Sequence, residues 1–493
     1  MARFGFVGGT YQSISPNFAS DFCMNFYPEV IESGTGKSGM GLLGTPGLSL
    51  FCSLSGPSVR GFLTFNGRAF ACSGTTFYEI FADMTTLVRG TILNDSAVVS
   101  MVAGPNQVAI ASAGTLYVFD LNANTLTAIS SGVITNVGQV DFCDGFYLAL
   151  LRNSNQIQAS NPLDATTWPG ASVAQVSVFP DIVVSMKVLH REIWLLGLKA
   201  GTTYYDAGSF PFPFQVNSSA GVMEQGSAAA NSTAILDNTL FWVGQDSRGG
   251  GIAWRANGYV PERISTHAVE YAWRQYSTIS DAIAYGYQEE GHSFYVVLFP
   301  TANATWVYDV ATQQWHERGV WNGFAFTGHR SQFHVYSFGK HLVGDWMSGN
   351  IYEMSLAYLS EPQGNIRRVR RSPFVSNEQQ YIFHNSLQVD TEVGLGPIPP
   401  LLDGQGNPRG PSMILRWSDD SAKTWSNSYS LDCGQAGEYR KRVIWRRLGR
   451  SRERIYEVSV SDPVPWRIVD AYLEATGYTL PSERIASQVR KVS

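Results

Sequence analysis

The sequence predicts an all-β protein: a β-propeller of about seven blades, six to eight being possible, with an extended N-terminal arm and a C-terminal β-sandwich. A turn leading into an apolar strand recurs at NGRAFACSG (from Asn66), NQVAIASAG (Asn106), DGFYLALL (Asp144), HREIWLLGL (His190), DNTLFWVG (Asp237), GHSFYVVLF (Gly291) and GKHLVGD (Gly339). The spacings are 40, 38, 46, 47, 54 and 48 residues, close to the roughly 40–50 residues of a propeller blade. Between Asp281 and Gly319, the runs AIAYGYQ, SFYVVLF and TWVYDVATQQW are parted by turn residues, which is the pattern of an antiparallel meander. Such a meander cannot cover its own faces, so it must stack on others. An aromatic-Asp step repeats at Phe119-Asp120 and Tyr308-Asp309, with a shorter version in YYDAG (Tyr204 to Gly208). An Asp there accepts backbone N–H groups of the following turn, a structural role.

Composition agrees. The chain has 493 residues, 48 Gly, 22 Pro and 13% aromatics, which gives room for two or three turn-rich domains. Helix signals are few. The best spans Thr266 to Gln275, with Ser265 as cap and Ala268, Tyr271 and Ala272 facing inward. MARFGFVGG lacks the apolar core of a signal peptide, and no stretch reaches the 18 apolar residues of a membrane span. We therefore expect synthesis in a cytoplasm and no membrane span. Five scattered cysteines (Cys23, Cys52, Cys72, Cys143, Cys433) without CxxC spacing predict free buried thiols rather than disulfides or a metal centre.

Residues 1–55 read as an arm, 56–360 as the propeller, 361–475 as the sandwich and 476–493 as a polar, flexible tail. The arm is rich in Gly and Pro and poor in alternation, so it is expected to lie as a strap along the propeller or the sandwich, contributing little to a core. Two phosphate-loop lookalikes fail within it. GTGKS (Gly34 to Ser38) has Ile31 where the first glycine of a phosphate loop belongs, and GMGLLG (Gly39 to Gly44) runs into Thr45-Pro46-Gly47 where a helix should start. Both are expected to be turns, and no cofactor is expected.

The order MNFYPE, ESGTGKS, GTPGL resembles the N-terminal signature of the packaged-DNA stabilisation (tail hub or nozzle) proteins of short-tailed bacteriophages. YRKRVIWRRLGR (Tyr439 to Arg450) resembles that family's closing basic segment. The resemblance implies a non-enzymatic virion tail component, a homo-hexameric ring below the portal and head-to-tail adaptor. Such a ring retains packaged DNA, meets tail spike, fibre or needle proteins, and passes double-stranded DNA without sequence specificity. It also implies interaction residues: Asn25, Tyr27 and Pro28 in the first motif, and Gly44, Thr45, Pro46 and Gly47 in the third.

Charge patterning adds to this list. IRRVRR supplies Arg367, Arg368, Arg370 and Arg371; the stretch from Arg440 to Arg454 carries eight cations and one acid, Glu453. These segments sum to +11 in a chain of net charge −5, leaving −16 on the rest. An acidic body repels DNA, whereas a concentrated basic strip suits an acidic partner or a phosphate backbone; the plainer reading is a strand edge guarded by cations. Strand alternation would put Arg440, Arg442 and Arg446 on one face, and Lys441 and Arg447 on the other with Val443 and Trp445; Arg450 lies in the following turn.

The C-terminal domain reads as strands at LQVDTEV, MILRW, RVIWRRL, IYEVSVS and RIVDAYLEA. Tyr456, Val458 and Val460 should share one face, as should Val469, Ala471 and Leu473. SDDSAKTW (Ser418 to Trp425) approximates the Asp-box SxDxGxTW found in sialidases, so a propeller glycan-binding or glycosidase module is the alternative function. Glu289, Glu290 and Asp164 are its available carboxylates, but none is paired at a diagnostic spacing. No HExxH, nucleophile elbow or metal loop appears, and His329 is expected to be a packed or solvent-exposed histidine. No catalytic or metal residue is therefore expected.

Overall fold

The computed structural model describes residues 2–33, 36–129, 132 and 134–477. The proposed tail therefore falls almost wholly outside the described residues, as do Gly34 and Thr35 of the GTGKS motif. Six four-stranded antiparallel sheets stand as separate blades, and a seventh, 283–321, continues into a larger sheet shared with the C-terminal domain. In chain order the blades cover 59–91, 100–128, 137–175, 183–216, 234–263, 283–321 and 331–355.

The recurring motif is a two-residue hairpin. At Asn66-Gly67, Asp144-Gly145, His190-Arg191, Asp237-Asn238, Glu290-Gly291 and Phe338-Gly339 both loop residues have positive φ. This backbone matches the twist of the strands it joins, and favours Asn, Asp and Gly. Side-chain alternation then packs blade on blade. In Gln107–Ser112, Val108 and Ile110 pack with Phe70 and Phe77 of the first blade, while Ala109 and Ala111 pack with Val140 and Tyr147 of the third. The aromatic-Asp steps act as expected: Asp120 accepts from Asn122 N and Ala123 N at 2.8 and 2.7 Å, and Asp309 accepts from Ala311 N at 3.0 Å.

The ring is closed by the N-terminal region. Gly47–Ser53 pairs with Asn350–Ser355 as the outer strand of the seventh blade, whose inner strand, Ser331–Ser337, lies against Val59–Phe65 of the first. Residues 47–53, placed in the arm from sequence, thus belong to a blade. The reason is non-local, since a closing strand has its partners some 300 residues away in the chain.

The rest of the arm divides between the two sandwich sheets. Ser20–Met24 pairs with Arg368–Arg371, which continues through Glu453–Val460 and Ser412–Ser418 to Tyr429–Asp432. Met24 also pairs in parallel with Glu317 of the sixth blade, so one sheet runs from propeller to sandwich. In the other sheet Phe26–Val30 pairs with Met40–Gly44, followed by Arg467–Thr476, Ile382–Thr391 and the edge strand Val443–Arg446. Phe4, Phe6, Cys23, Phe26 and Leu42 of the arm are buried in the sandwich core with Leu387, Met413, Tyr456, Val458, Val460, Ala471 and Leu473. The expectation of an arm with little to bury is therefore corrected: its sparse apolar residues complete the core between two sheets that come from elsewhere in the chain.

Two local readings shift. The helix His267–Arg274 is capped by Thr266, whose hydroxyl accepts from Val269 N at 3.3 Å, while Ser265 donates to Glu270 at 2.7 Å; its buried face is Ala268, Val269, Glu270 and Trp273. In Arg467–Thr476 a register shift turns Ile468, not Val469, into the core. All five cysteines are free and buried, with thiol pKa values pushed up to about 12, chiefly by burial.

Removing residues 1–46 keeps Gly47–Ser53, so the propeller should still melt as a closed ring. The sandwich, deprived of Phe4, Phe6, Phe26 and Leu42, should become protease-sensitive. Removing 1–53 should cost the propeller its cooperative transition as well. Thermal melting with limited proteolysis reads both, and a sandwich resistant after the shorter truncation would contradict a shared core.

Candidate functional site

The first motif sits where propeller, arm and sandwich meet. Asn25 is buried in the left-handed conformation, φ 57°, which short polar residues tolerate. Its amide donates to Gly319 O and Arg367 O, both at 2.8 Å, and accepts from Gly319 N at 2.9 Å. Its backbone N–H donates to Glu317 O at 2.8 Å, and its carbonyl accepts from Thr45 N at 3.1 Å. One residue thus ties the sixth blade, the first sandwich strand and the GTPG loop.

Beyond Asn25 the strand alternates between two cores. Phe26 enters the sandwich core; Tyr27 packs on Leu48, Tyr287 and Phe294 in the propeller, its ring edge-on to His292 at 5.1 Å. Pro28 is buried opposite Leu42. Glu29 reaches the imidazole of His292, which is only 5% exposed and bonds Asp309 through Nδ1 at 2.9 Å. Burial works against the imidazolium, but the hydrogen bonds to Asp309 and Glu29 outweigh it and lift its pKa to about 9. Sequence inspection missed this clamp, because Glu29 and His292 are brought together only by the fold.

In the third motif both glycines permit close approach. A Cβ on Gly44 would lie 2.6 Å from Arg368 Nε, and one on Gly47 would lie 2.4 Å from Tyr358 O. Thr45 and Pro46 are buried between them, and Thr45 O accepts from Arg368 Nη2 at 3.2 Å.

The IRRVRR segment is an internal seam, which corrects its reading as a surface for partners. Arg370, 1% exposed, donates to Phe6 O at 2.7 Å and Gly9 O at 2.8 Å, and pairs with Asp21 at 3.3 Å, holding the arm by its carbonyls. Arg368 is buried, and burial lowers its pKa to about 10. Arg371 pairs with Glu457 at 2.9 Å, and Arg367 lies over the Trp321 ring at 4.1 Å.

The closing basic strip is different. Val443–Arg446 is strand, with Val443 and Trp445 pointing into the core and Arg446 out as alternation requires, and Arg450, expected in a turn, begins a second short strand, Arg450–Ser451, paired with Ile382–Phe383. Arg440 to Arg442 belong to the preceding turn, and Arg447 leaves the strand at φ 59°, so the expected two-faced ladder is shortened. Lys441 pairs with Asp432 at 3.1 Å and Arg454 is buried against Asp419 at 2.6 Å. Arg440, Arg442, Arg446, Arg447, Arg450 and Arg452 are exposed, and none pairs with a carboxylate among the described residues.

The other motifs are structural in their contacts. Asp420 of the Asp-box accepts from Thr424 N at 2.8 Å and Lys423 N at 3.1 Å, closing its own hairpin. Asp164 holds the turn at Thr166, at 2.9 Å. His329 is buried between Ser331 at 2.6 Å and Glu361 at 3.1 Å. Among the described residues no group of three potential metal ligands converges, and no helix is long and apolar enough to cross a membrane.

Two family models match most of the chain. One described as Bacteriophage P22 Gp10, beta-propeller covers residues 2–358, and one described as Bacteriophage P22 Gp10, beta-sandwich covers residues 367–476. No curated protein matches the sequence. Solved structures similar in shape include BamB from Moraxella catarrhalis, 10% identical with a TM-score of 0.39, covering 67% of this chain and 96% of that one. The computationally designed Ika8 protein is 9% identical with a TM-score of 0.36, covering 62% and 99%. The extracellular domain of BT4673 from B. thetaiotaomicron is 9% identical with a TM-score of 0.41; the match covers 80% of this chain and 48% of that one, about half its length.

Two outcomes follow from the junction. Asn25→Ala strands three buried backbone groups and places alanine in a left-handed conformation, so it should cost about 3–5 kcal/mol in denaturant unfolding; a loss below about 1 kcal/mol would show that the node is dispensable. The His292 pKa is raised above its ordinary 6.5, so its contribution, about 3 kcal/mol, is fully present below pH 6.5 and fades as pH rises through about 9. Stability measured from pH 6 to 10 should fall across that window in the native chain and stay flatter in His292→Gln.

Proposed function

Because the chain belongs to the bacteriophage P22 Gp10 family, the packaged-DNA stabilisation proteins of phage tails, we propose that it is the hub, or nozzle, of a short-tailed phage tail. In this reading copies assemble as a ring, a homo-hexamer, below the portal and its adaptor. The ring closes the filled head, carries spike, fibre or needle proteins, and later conducts the duplex out without gripping it. The work is assembly rather than catalysis.

The observation that carries this reading is the row of exposed, unpaired arginines at one edge of the sandwich. Like charges so close repel one another, by an amount comparable with surface ion pairs, roughly 0.2–1 kcal/mol each. Among the described residues the chain supplies them with no carboxylate of its own. An assembled particle does, through a ring neighbour or an adaptor, and the acidic remainder of the chain, −16 outside the two basic segments, suits contact between copies. Phosphate is the weaker match, since a conduit holding DNA through several cations would bind in a steeply salt-dependent way and impede ejection.

The test is charge reversal within the phage. Arg446→Glu, Arg447→Glu and Arg450→Glu together should leave the isolated protein with its native melting temperature while abolishing tail assembly, seen by electron microscopy as heads without tails. Normal particles that leak DNA would make the strip a lumenal DNA contact and overturn the assignment.

A further inference from the structure

One part of this basic edge is built more specifically than repulsion alone requires. Tyr381 and Phe383, each 49% exposed, project outward on either side of Ile382, which is fully buried. The guanidinium groups of Arg450 and Arg452 lie 4.9 and 5.0 Å from the Tyr381 ring centroid. Beside Phe383 an open cavity of about 660 Å³ is lined by Arg446, Arg447 and Arg450. Among the described residues Glu474 is the one carboxylate lining it, and it accepts from Ser386 Oγ at 2.8 Å rather than pairing with an arginine. His384, also at the cavity, has its ring turned inward to Tyr456 Oη at 2.8 Å and Ser451 Oγ at 2.9 Å, and burial keeps it neutral with a pKa lowered to about 3.

We propose that the surface formed by Tyr381, Phe383, Arg446, Arg447, Arg450 and Arg452 docks an acidic, extended segment of another protein of the particle. The inference deepens the tail reading above and rests on it. Three features select this occupant. Guanidinium groups stacked on an aromatic ring are planar forks already held in place, and their geometry suits carboxylates. Exposed Tyr and Phe among arginines give the composition of a protein-binding hot spot, and a duplex backbone makes no use of the apolar rings. Among the described residues no strand pairs with the outer side of Val443–Arg446, the last strand of its sheet, which suits the addition of an extended chain.

The experiment uses the purified full-length chain and three probes: a short synthetic peptide alternating glutamate and valine, a DNA duplex of equal charge, and oligothymidylate. Binding is read by fluorescence anisotropy. The peptide should bind most tightly, and the pair Tyr381→Ala and Phe383→Ala, which changes no charge, should weaken it by about tenfold or more. Arg450→Gln with Arg452→Gln should weaken it likewise, and unchanged thermal melting would show both variants folded. Peptide binding indifferent to loss of the aromatics, or tighter binding of either DNA probe, would overturn the proposal. Peptide capture alongside normal particles from the triple glutamate variant would leave the docking surface standing and remove the tail role. Failed assembly without peptide capture would do the reverse.

Discussion

Everything in this molecule depends on how one residue, Asn25, satisfies the backbone at a three-way junction. A sheet passing from the sixth blade into the sandwich must change partners at the arm, and such a change leaves N–H and C=O groups without a ladder. The Asn25 amide takes up both groups of Gly319 and the carbonyl of Arg367, while its own backbone bonds Glu317 and Thr45. Buried backbone groups left unpaired are costly. With them satisfied, Phe26 and Tyr27 can enter two different cores from adjacent positions.

The arginines show the same economy in two settings. Arg368 and Arg370 are turned inward and hold the arm by its carbonyl oxygens, with Asp21 beside Arg370. A guanidinium has five donors, so it can collect carbonyls that no strand would reach. In the closing segment Arg454 is buried against Asp419, whereas Arg440, Arg442, Arg446, Arg447, Arg450 and Arg452 are exposed and pair with no carboxylate among the described residues. Composition alone made the two segments look alike, because it counts charges and cannot see which carbonyls lie nearby.

What was legible followed from local periodicity. The hairpin turns at Asn66-Gly67 and Asp144-Gly145 mark their blades because both residues must take positive φ, and the alternation of Val108 to Ala111 states which neighbour each side chain meets. The arm was illegible for the converse reason. Its strands are short, most of them also pair with partners hundreds of residues away, and adjacent residues enter different cores, so no period of two builds up. The Glu29–His292 clamp was invisible likewise, and the single extra residue at Val469 reversed a face that alternation had assigned to it.

The central claim is that the arm makes propeller and sandwich one cooperative body through the junction at Asn25. Native-state hydrogen exchange tests it directly, by comparing the amides of residues 22–27, 317–319 and 368–371 with those in the middle of the blades and of the sandwich sheets. The account predicts that junction amides exchange only with global opening, as slowly as the central strands. Junction amides exchanging much faster than both flanking cores would show two independent domains joined by a loose strap, and would contradict it.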